Sequence, residues 1–387
     1  MKKRSIIVNI AIVLVLAIFG LVAFLVFKRP NPIPNTQFTQ INKVHAMRVD
    51  YLDMSKSREE VDALESQMRQ GGINMVVLSA GRVDWTYFPW KAHNDRWSSD
   101  VKDTGIDFLA EDSQRFGKWA HVSAAVDILG PLYIQNHPAA AALSASGTAS
   151  KNLVNTMELV DGQFGQDALG LIESISAIYP VNSIMISELF YYTDGYGDVD
   201  KSAYMSYTGQ QDWPRAADGE IDINNPTIGA WRVYEIGKFL TKAAEIVHRY
   251  DKQLFLEVRV SLDENGNVVV ENGTDFNTFL QYADRLVVWG NHDLGDQPPE
   301  SIAKVANFLL KLSAGKVIMM LGLWDKIYSS DVPKNQMTAI QPEDLLIMLQ
   351  SANQAGMHDY WITPSFLMSQ QYWSLLDNLW GSKTASP

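Results

Sequence analysis

The chain contains no cysteine, which removes disulfide cross-links, thiolate nucleophiles and cysteine-ligated zinc from consideration. Histidine is scarce: seven in 387 residues, scattered, with only His292-Asp293 suggestive of a functional pair. No metal is expected. No strand-like run is followed by a glycine-rich phosphate turn, so nucleotide-binding folds lack their hallmark and no cofactor is implied. The Gly-x-Ser-x-Gly elbow of the α/β-hydrolases is missing too. Positive charge is in deficit, with 32 Lys and Arg against 44 Asp and Glu, a net charge of −12. That balance argues against nucleic acid and favours a neutral or cationic partner.

Apolar residues are plentiful at 47%, ample for a large core. Lys2-Lys3-Arg4 precedes an apolar run from Ile6 to Phe27, interrupted only by Asn9 and Gly20. A bilayer core needs roughly 20 such residues. Residues 1–28 therefore read as a cytoplasmic tip and an uncleaved signal anchor, with residues 6–27 in the lipid. The expectation is a single-pass membrane protein with an extracytoplasmic C-terminal domain. The alternative is secretion after signal cleavage. Residues 29–44, with Pro30, Pro32 and Pro34, read as a stiff extended linker.

From there to residue 382, strand-like runs alternate with helical patterns. Strands are expected at 46–54, 73–80, 118–129, 181–192, 253–260, 285–291, 316–324 and 357–364, and the loop 130–162 reads as irregular. Segments after strands are long and those before them short, as at Gly71-Gly72 and Asp251-Lys252. Eight such units over residues 45–382 predict a (β/α)8 TIM barrel, an α/β fold whose working face is the carboxyl end of its strands.

The fourth strand draws attention because Ile184, Met185 and Ile186 make it a buried run, yet Glu188 sits near its carboxyl end. An unpaired buried carboxylate costs several kcal/mol, so such a group is paired, protonated or working. A structural ion pair inside the barrel is the plain alternative. The other strand ends offer Asp50, Asp53, Asp127, Glu257, Arg259, Trp289, Asn291, His292, Trp324, Asp325, Tyr360 and Trp361, with Tyr87 and Tyr191 in the adjoining loops. Acids beside aromatic rings suit carbohydrate chemistry. Rings pack on sugar C–H faces, and glycosidic cleavage needs a proton donor of raised pKa plus a second, charge-stabilising group. Any single tryptophan here is as readily core.

These patches resemble the C-terminal glycoside hydrolase domain of the PgaB-type proteins, which act on poly-β-1,6-N-acetylglucosamine. Val49-Asp50-Tyr51 with Asp53 resembles that family's first strand, Tyr87-Phe88-Pro89 a Tyr-Phe-Pro in its second loop, and Tyr360–Pro364 its eighth strand end. Arg259 matches an arginine after the fifth strand, and Glu188 falls where the family's catalytic Asp lies. The chain departs from the family in having Leu189 for the second acid, Ser187 for a histidine, and no accompanying deacetylase domain. The resemblance implies a barrel hydrolase for an amino-sugar polysaccharide. Glu188 is then the general acid, Asp50 and Asp127 are catalytic candidates, and the remaining strand-end residues bind substrate. A glycan-binding barrel without catalysis, or a scaffold for other envelope or exopolysaccharide proteins, are the alternatives.

Overall fold

A computed structural model describes residues 43–290, 297–313, 315–325 and 337–381. The expected membrane anchor, nearly all of the linker, and Asn291 and His292 lie outside the described residues. Among the described residues no helix is long and apolar enough to cross a membrane.

Eight parallel strands carry the fold: β1 (His45–Val49), β2 (Met75–Arg82), β3 (His121–Asp127), β4 (Ser183–Ser187), β5 (Gln253–Leu262), β6 (Arg285–Trp289), β7 (Val317–Gly322) and β8 (Tyr360–Thr363). Each pairs in parallel with its sequence neighbour, and β8 pairs back with β1, so the sheet closes. The expected (β/α)8 barrel is the observed one. Around it lie α1 (Arg58–Gln70), α2 (Phe108–Phe116), α3 (Gln163–Ile178), α4 (Pro226–Arg249), the short α5 (Phe276–Phe279), α6 (Ile302–Ser313), α7 (Pro342–Gln354) and α8 (Gln370–Trp380).

Local chemistry explains where the elements start and stop. Ser57 and Glu60 form a reciprocal capping box that opens α1, whose Val61, Leu64 and Met68 then face the barrel. Asn225 caps α4, and Pro226 occupies its first turn, where a missing N–H costs nothing. Gly72, between α1 and β2, has φ +70, and a Cβ there would stand 2.5 Å from the Trp380 carbonyl oxygen. Gly72→Ala is therefore expected to destabilise the barrel by about 2 kcal/mol, combining backbone strain with a backbone clash. An unchanged urea midpoint would refute this.

Three expected elements are revised. The first strand stops at Val49 instead of running to Met54, because the Asp50 carboxylate caps a helical turn at Tyr51–Met54 and accepts from the Tyr51 N–H at 2.6 Å. The fourth ends at Ser187 rather than Tyr192. The segment 130–162 is ordered, not irregular. It holds helices at Pro131–Asn136 and Thr156–Val160 around a hairpin of Ala141–Leu143 with Ala149–Val154. These pieces are short and capped individually, as where Asn155 accepts from the Glu158 N–H, so no long periodicity announces them.

Inside the barrel, Ala46, Val77, Ala125, Met185, Phe255, Val287, Ile318, Met320 and Trp361 form one apolar cluster. Side chains alternate across a strand, so the residue two further along points the same way. Applied to that layer, the rule yields Arg48, Ser79, Asp127, Ser187, Glu257 and Trp289 as the next inward layer. The barrel is thus apolar through its middle and polar toward the carboxyl ends of its strands.

Candidate active site

Arg48 and Asp127 anchor the polar layer. Arg48 Nη2 donates to both Asp127 carboxylate oxygens, at 3.0 and 3.2 Å, and Arg48 Nε donates to Ser79 Oγ at 2.9 Å. The Tyr51 hydroxyl donates to Asp127 Oδ2 at 2.6 Å, and the Ser187 hydroxyl donates to Asp127 Oδ1. Burial on its own pushes the Asp127 carboxyl up, but Arg48, Ser187 and Tyr51 outweigh it and hold the group below the ordinary carboxylate range. Asp127 is a fixed anion with its lone pairs occupied.

Glu188 follows β4 directly. Ser187 faces inward, so strict alternation sends Glu188 outward. Instead Glu188 adopts φ +62, a left-handed conformation that costs a non-glycine residue about 1–2 kcal/mol. The turn brings Glu188 Oε2 to 3.2 Å from Arg259 Nη2, on the inward side of β5. The Arg259 guanidinium is sandwiched between Phe190 (3.6 Å from the ring centroid) and Trp289 (4.6 Å). Loss of surrounding water raises the Glu188 carboxyl, and the neighbouring Asp127 adds to this. Arg259, the largest opposing influence, and Arg48 only partly offset the rise. The Glu188 side chain keeps 30% of its surface, so it remains open to a substrate. Glu257, only 2% exposed, is pushed up to about 8, first by burial and then by Glu188.

Aromatic rings flank these acids on two sides. Trp85 meets Tyr51 edge-on at 5.0 Å beside β1 and β2, and Trp289 and Trp324 lie 5.5 Å apart beside β6 and β7. Asp50, partly exposed, stands at the end of β1. The structure thus gathers Glu188, Asp127, Asp50, Glu257, Arg259, Trp289 and Trp324 at one end of the barrel. Asp325 sits just beyond on the loop after β7, where its N–H and carboxylate engage Thr338.

Five expected substrate contacts are buried elsewhere. Asp53 is 1% exposed, ion-paired with Lys56 at 2.6 Å, and accepts from the Ser365 hydroxyl. Tyr87 is buried beneath Tyr51 and donates to the Tyr51 carbonyl at 2.8 Å. Tyr191 is buried below the loop after β4. Trp361 lies in the apolar middle of the barrel, and Tyr360, of opposite parity on β8, turns outward to Asn353 and Trp380. These side chains support the fold rather than meet a ligand. Conversely, the sequence reading passed over Arg48 and assigned no role to Ser187. The parity rule finds both once strand ends are known.

The buried acids set a pH signature. Burial raises Asp112 and Asp200 to about 7 each, in addition to Glu257 at about 8. All three folded values exceed the unfolded ones near 4, so the folded state holds extra protons. Their stabilisation is complete below pH ~4 and is lost as pH rises through 7 to 8, at up to about 1.4 kcal/mol per pH unit for each group. Asp127 acts oppositely: its contribution is present above pH ~4 and is lost as pH falls through its depressed value. Calorimetry should show the melting temperature falling from pH 5 to pH 8. A rise over that interval would contradict these assignments.

The sequence matches no family model and no curated protein. Solved structures show a likeness of fold alone, at 14% sequence identity or less. The fold is similar to the β-amylase catalytic domain of Paenibacillus polymyxa (TM-score 0.55, 10% identity, 85% of this chain and 94% of that one). It is also similar to a class V chitinase of Pseudomonas fluorescens Pf-5 (0.51, 9%, 87% and 98%). The particular likeness expected from the sequence is present as well. The PgaB (BpsB) glycoside hydrolase domain of Bordetella bronchiseptica aligns with a TM-score of 0.62 at 14% identity, over 89% of this chain and all of that one.

Proposed function

We propose that this barrel is a glycoside hydrolase that cleaves an amino-sugar polysaccharide by general acid catalysis, with Glu188 as the acid. The observation that carries the reading is a pair of acidic environments of opposite character at one end of the barrel. Asp127 is held anionic by Arg48, Ser187 and Tyr51, while burial favours a proton on Glu188. Such divergence is how one fold supplies both an acid and a charge-stabilising group at neutral pH. Trp289, Trp324 and Trp85 supply ring faces for sugars, and Arg259 a donor for hydroxyl or acetamide oxygens. The substrate class draws support from the similarity to the PgaB domain and from the net charge of −12, which favours a partly deacetylated, cationic chain. The anchor-like residues 6–27 favour a working position outside the membrane, tethered to it.

The test is to incubate the protein with partly deacetylated poly-N-acetylglucosamine and, separately, with chitin fragments, and to follow product size. Shortening of the first is expected. Retention of the polymer without shortening would replace this reading with a non-catalytic glycan-binding barrel. Trp289→Ala is expected to weaken polymer binding by about five- to tenfold, from loss of a stacking face worth on the order of 1 kcal/mol. Unchanged KM would remove Trp289 from the binding surface.

A further inference from the structure

Phe190 takes no part in the reading above, yet it makes a close contact at the site. Its ring centroid lies 3.6 Å from the Arg259 guanidinium carbon. Trp289, paired with Arg259 across β5 and β6, contributes a second ring at 4.6 Å. Phe190 is not core filling. Leu189 and Tyr191 on either side of it are buried, whereas Phe190 is only half-buried and turns its ring to a cation.

The guanidinium needs such help. Its Nε–H is enclosed without a hydrogen-bond partner, and Glu188, at 3.2 Å, is its one ion-pair partner among the described residues. The two side chains keep 33% and 30% of their surfaces. A pair so exposed holds weakly, because both chains lose rotamer freedom in forming it. Ring faces supply the missing restraint, since they attract the cation and leave it only in-plane directions to move. One backbone feature delivers both partners. The left-handed turn at Glu188 brings its carboxylate to Nη2, and Phe190, two residues on, reaches the face of the same group.

We propose that Phe190 is a positioning residue for the glycosidic step, its ring fixing the Arg259 guanidinium against Glu188. The inference deepens the hydrolase reading and rests on Glu188 being its acid. The Glu188 proton passes to the glycosidic oxygen as the C1–O bond breaks, and the electron pair of that bond leaves with the oxygen. Water supplies hydroxyl to C1, and its other proton restores Glu188. Between those events Glu188 is an anion, and a cation fixed beforehand meets that charge without reorganising. Glu188 also faces Asp127 on β3, Arg48 on β1 and Asp50 just beyond it, and Glu257 stands on β5 two residues before Arg259. Of these groups Arg259 most strongly opposes the rise that burial imposes on Glu188. A loosened Arg259 therefore lets Glu188 keep its proton to higher pH while leaving the new anion unmet.

The decisive measurement is NMR of the full protein, following the Arg259 guanidinium by 15N and Glu188 Cδ by 13C, with signals assigned through Arg259→Lys and Glu188→Gln. Wild type is expected to show a slowly rotating guanidinium whose protons are shifted upfield by the rings. Phe190→Leu, which keeps bulk but loses the ring, should release that rotation. It should also raise the Glu188 midpoint by about 0.5–1 pH unit, part of what an adjacent opposite charge confers. The high-pH limb of kcat/KM for polymer cleavage should rise by the same interval, and kcat should fall about tenfold, within what a displacement of roughly 1 Å can cost. Phe190→Tyr, which retains the ring face, should restore the wild-type signal and limb. An Arg259 signal or a Glu188 midpoint unmoved in Phe190→Leu would overturn the proposal, and a raised KM alone would make Phe190 a sugar platform instead. If Phe190→Leu fails to fold, the wild-type spectrum decides, because a freely rotating guanidinium there also overturns it. A clamped Arg259 that Phe190→Leu releases, in a protein that cleaves no glycan, would support the clamp and sink the hydrolase reading alone.

Discussion

Replacing Arg48 with methionine should lower the unfolding free energy by about 3–5 kcal/mol, the typical result of stranding one member of a buried ion pair. The side chains of Arg48 and Asp127 are only 12% and 8% exposed, so water cannot take over the lost contacts. Domains of this kind have about 5–15 kcal/mol in total, and the variant is expected to approach the limit of stable folding. Asp127→Asn should also destabilise, since it leaves Arg48 charged against a neutral amide. The double variant Arg48→Met with Asp127→Asn should cost less than the sum of the two, because no charge is then left unpaired. Urea midpoints for the four proteins provide the check. Single-variant losses below 1 kcal/mol that simply add would show that the pair does not hold the polar layer together.

That arginine marks the boundary of what was legible in the sequence. Barrel architecture could be read because it repeats: eight apolar runs with helical patterns between them, and long segments after strands. Glu188 could be read because a carboxylate beside Ile184, Met185 and Ile186 violates its local pattern. Arg48 violates nothing visible. A basic residue near the start of a strand is unremarkable until the strand's limits assign its parity, and the strand was expected to run on to Met54. The same uncertainty misplaced Trp361 and Tyr360, which occupy adjacent positions on β8 and face opposite sides of the wall. Alternation in the sequence says that two neighbours differ in direction. Which one faces the barrel interior is decided by pairing with β1 and β7, information that no single strand carries.

A further property could not be read from pattern at all. Glu188 reaches Arg259 because its own backbone leaves the strand conformation, and a glutamate in the left-handed region is selected against on local grounds. Glycine there would cost nothing, so the presence of Glu188 is evidence that its side chain offsets the strain. The comparison of Glu188→Gly with Glu188→Ala isolates that cost, since both lose the contact with Arg259. The glycine variant is expected to be more stable by about 1 kcal/mol, and equal stabilities would mean that the turn is unstrained.

Glu188→Gln should reduce kcat on the amino-sugar polymer by about 10²–10⁴, the usual contribution of a positioned general acid, and leave KM near its wild-type value. The amide oxygen can still accept from Arg259 Nη2, so the geometry of the site and the binding of sugar rings are preserved while the transferable proton is lost. Glu188→Asp separates position from chemistry. Its carboxyl retains a proton but draws back by roughly 1 Å, a displacement that can cost about 100-fold. The aspartate variant should therefore be slow with a retained high-pH limb, and the glutamine variant slow with that limb abolished. Cleavage by Glu188→Gln within tenfold of wild type would move the acid elsewhere among the clustered carboxyls, with Glu257 the next to test because burial keeps it protonated to about pH 8.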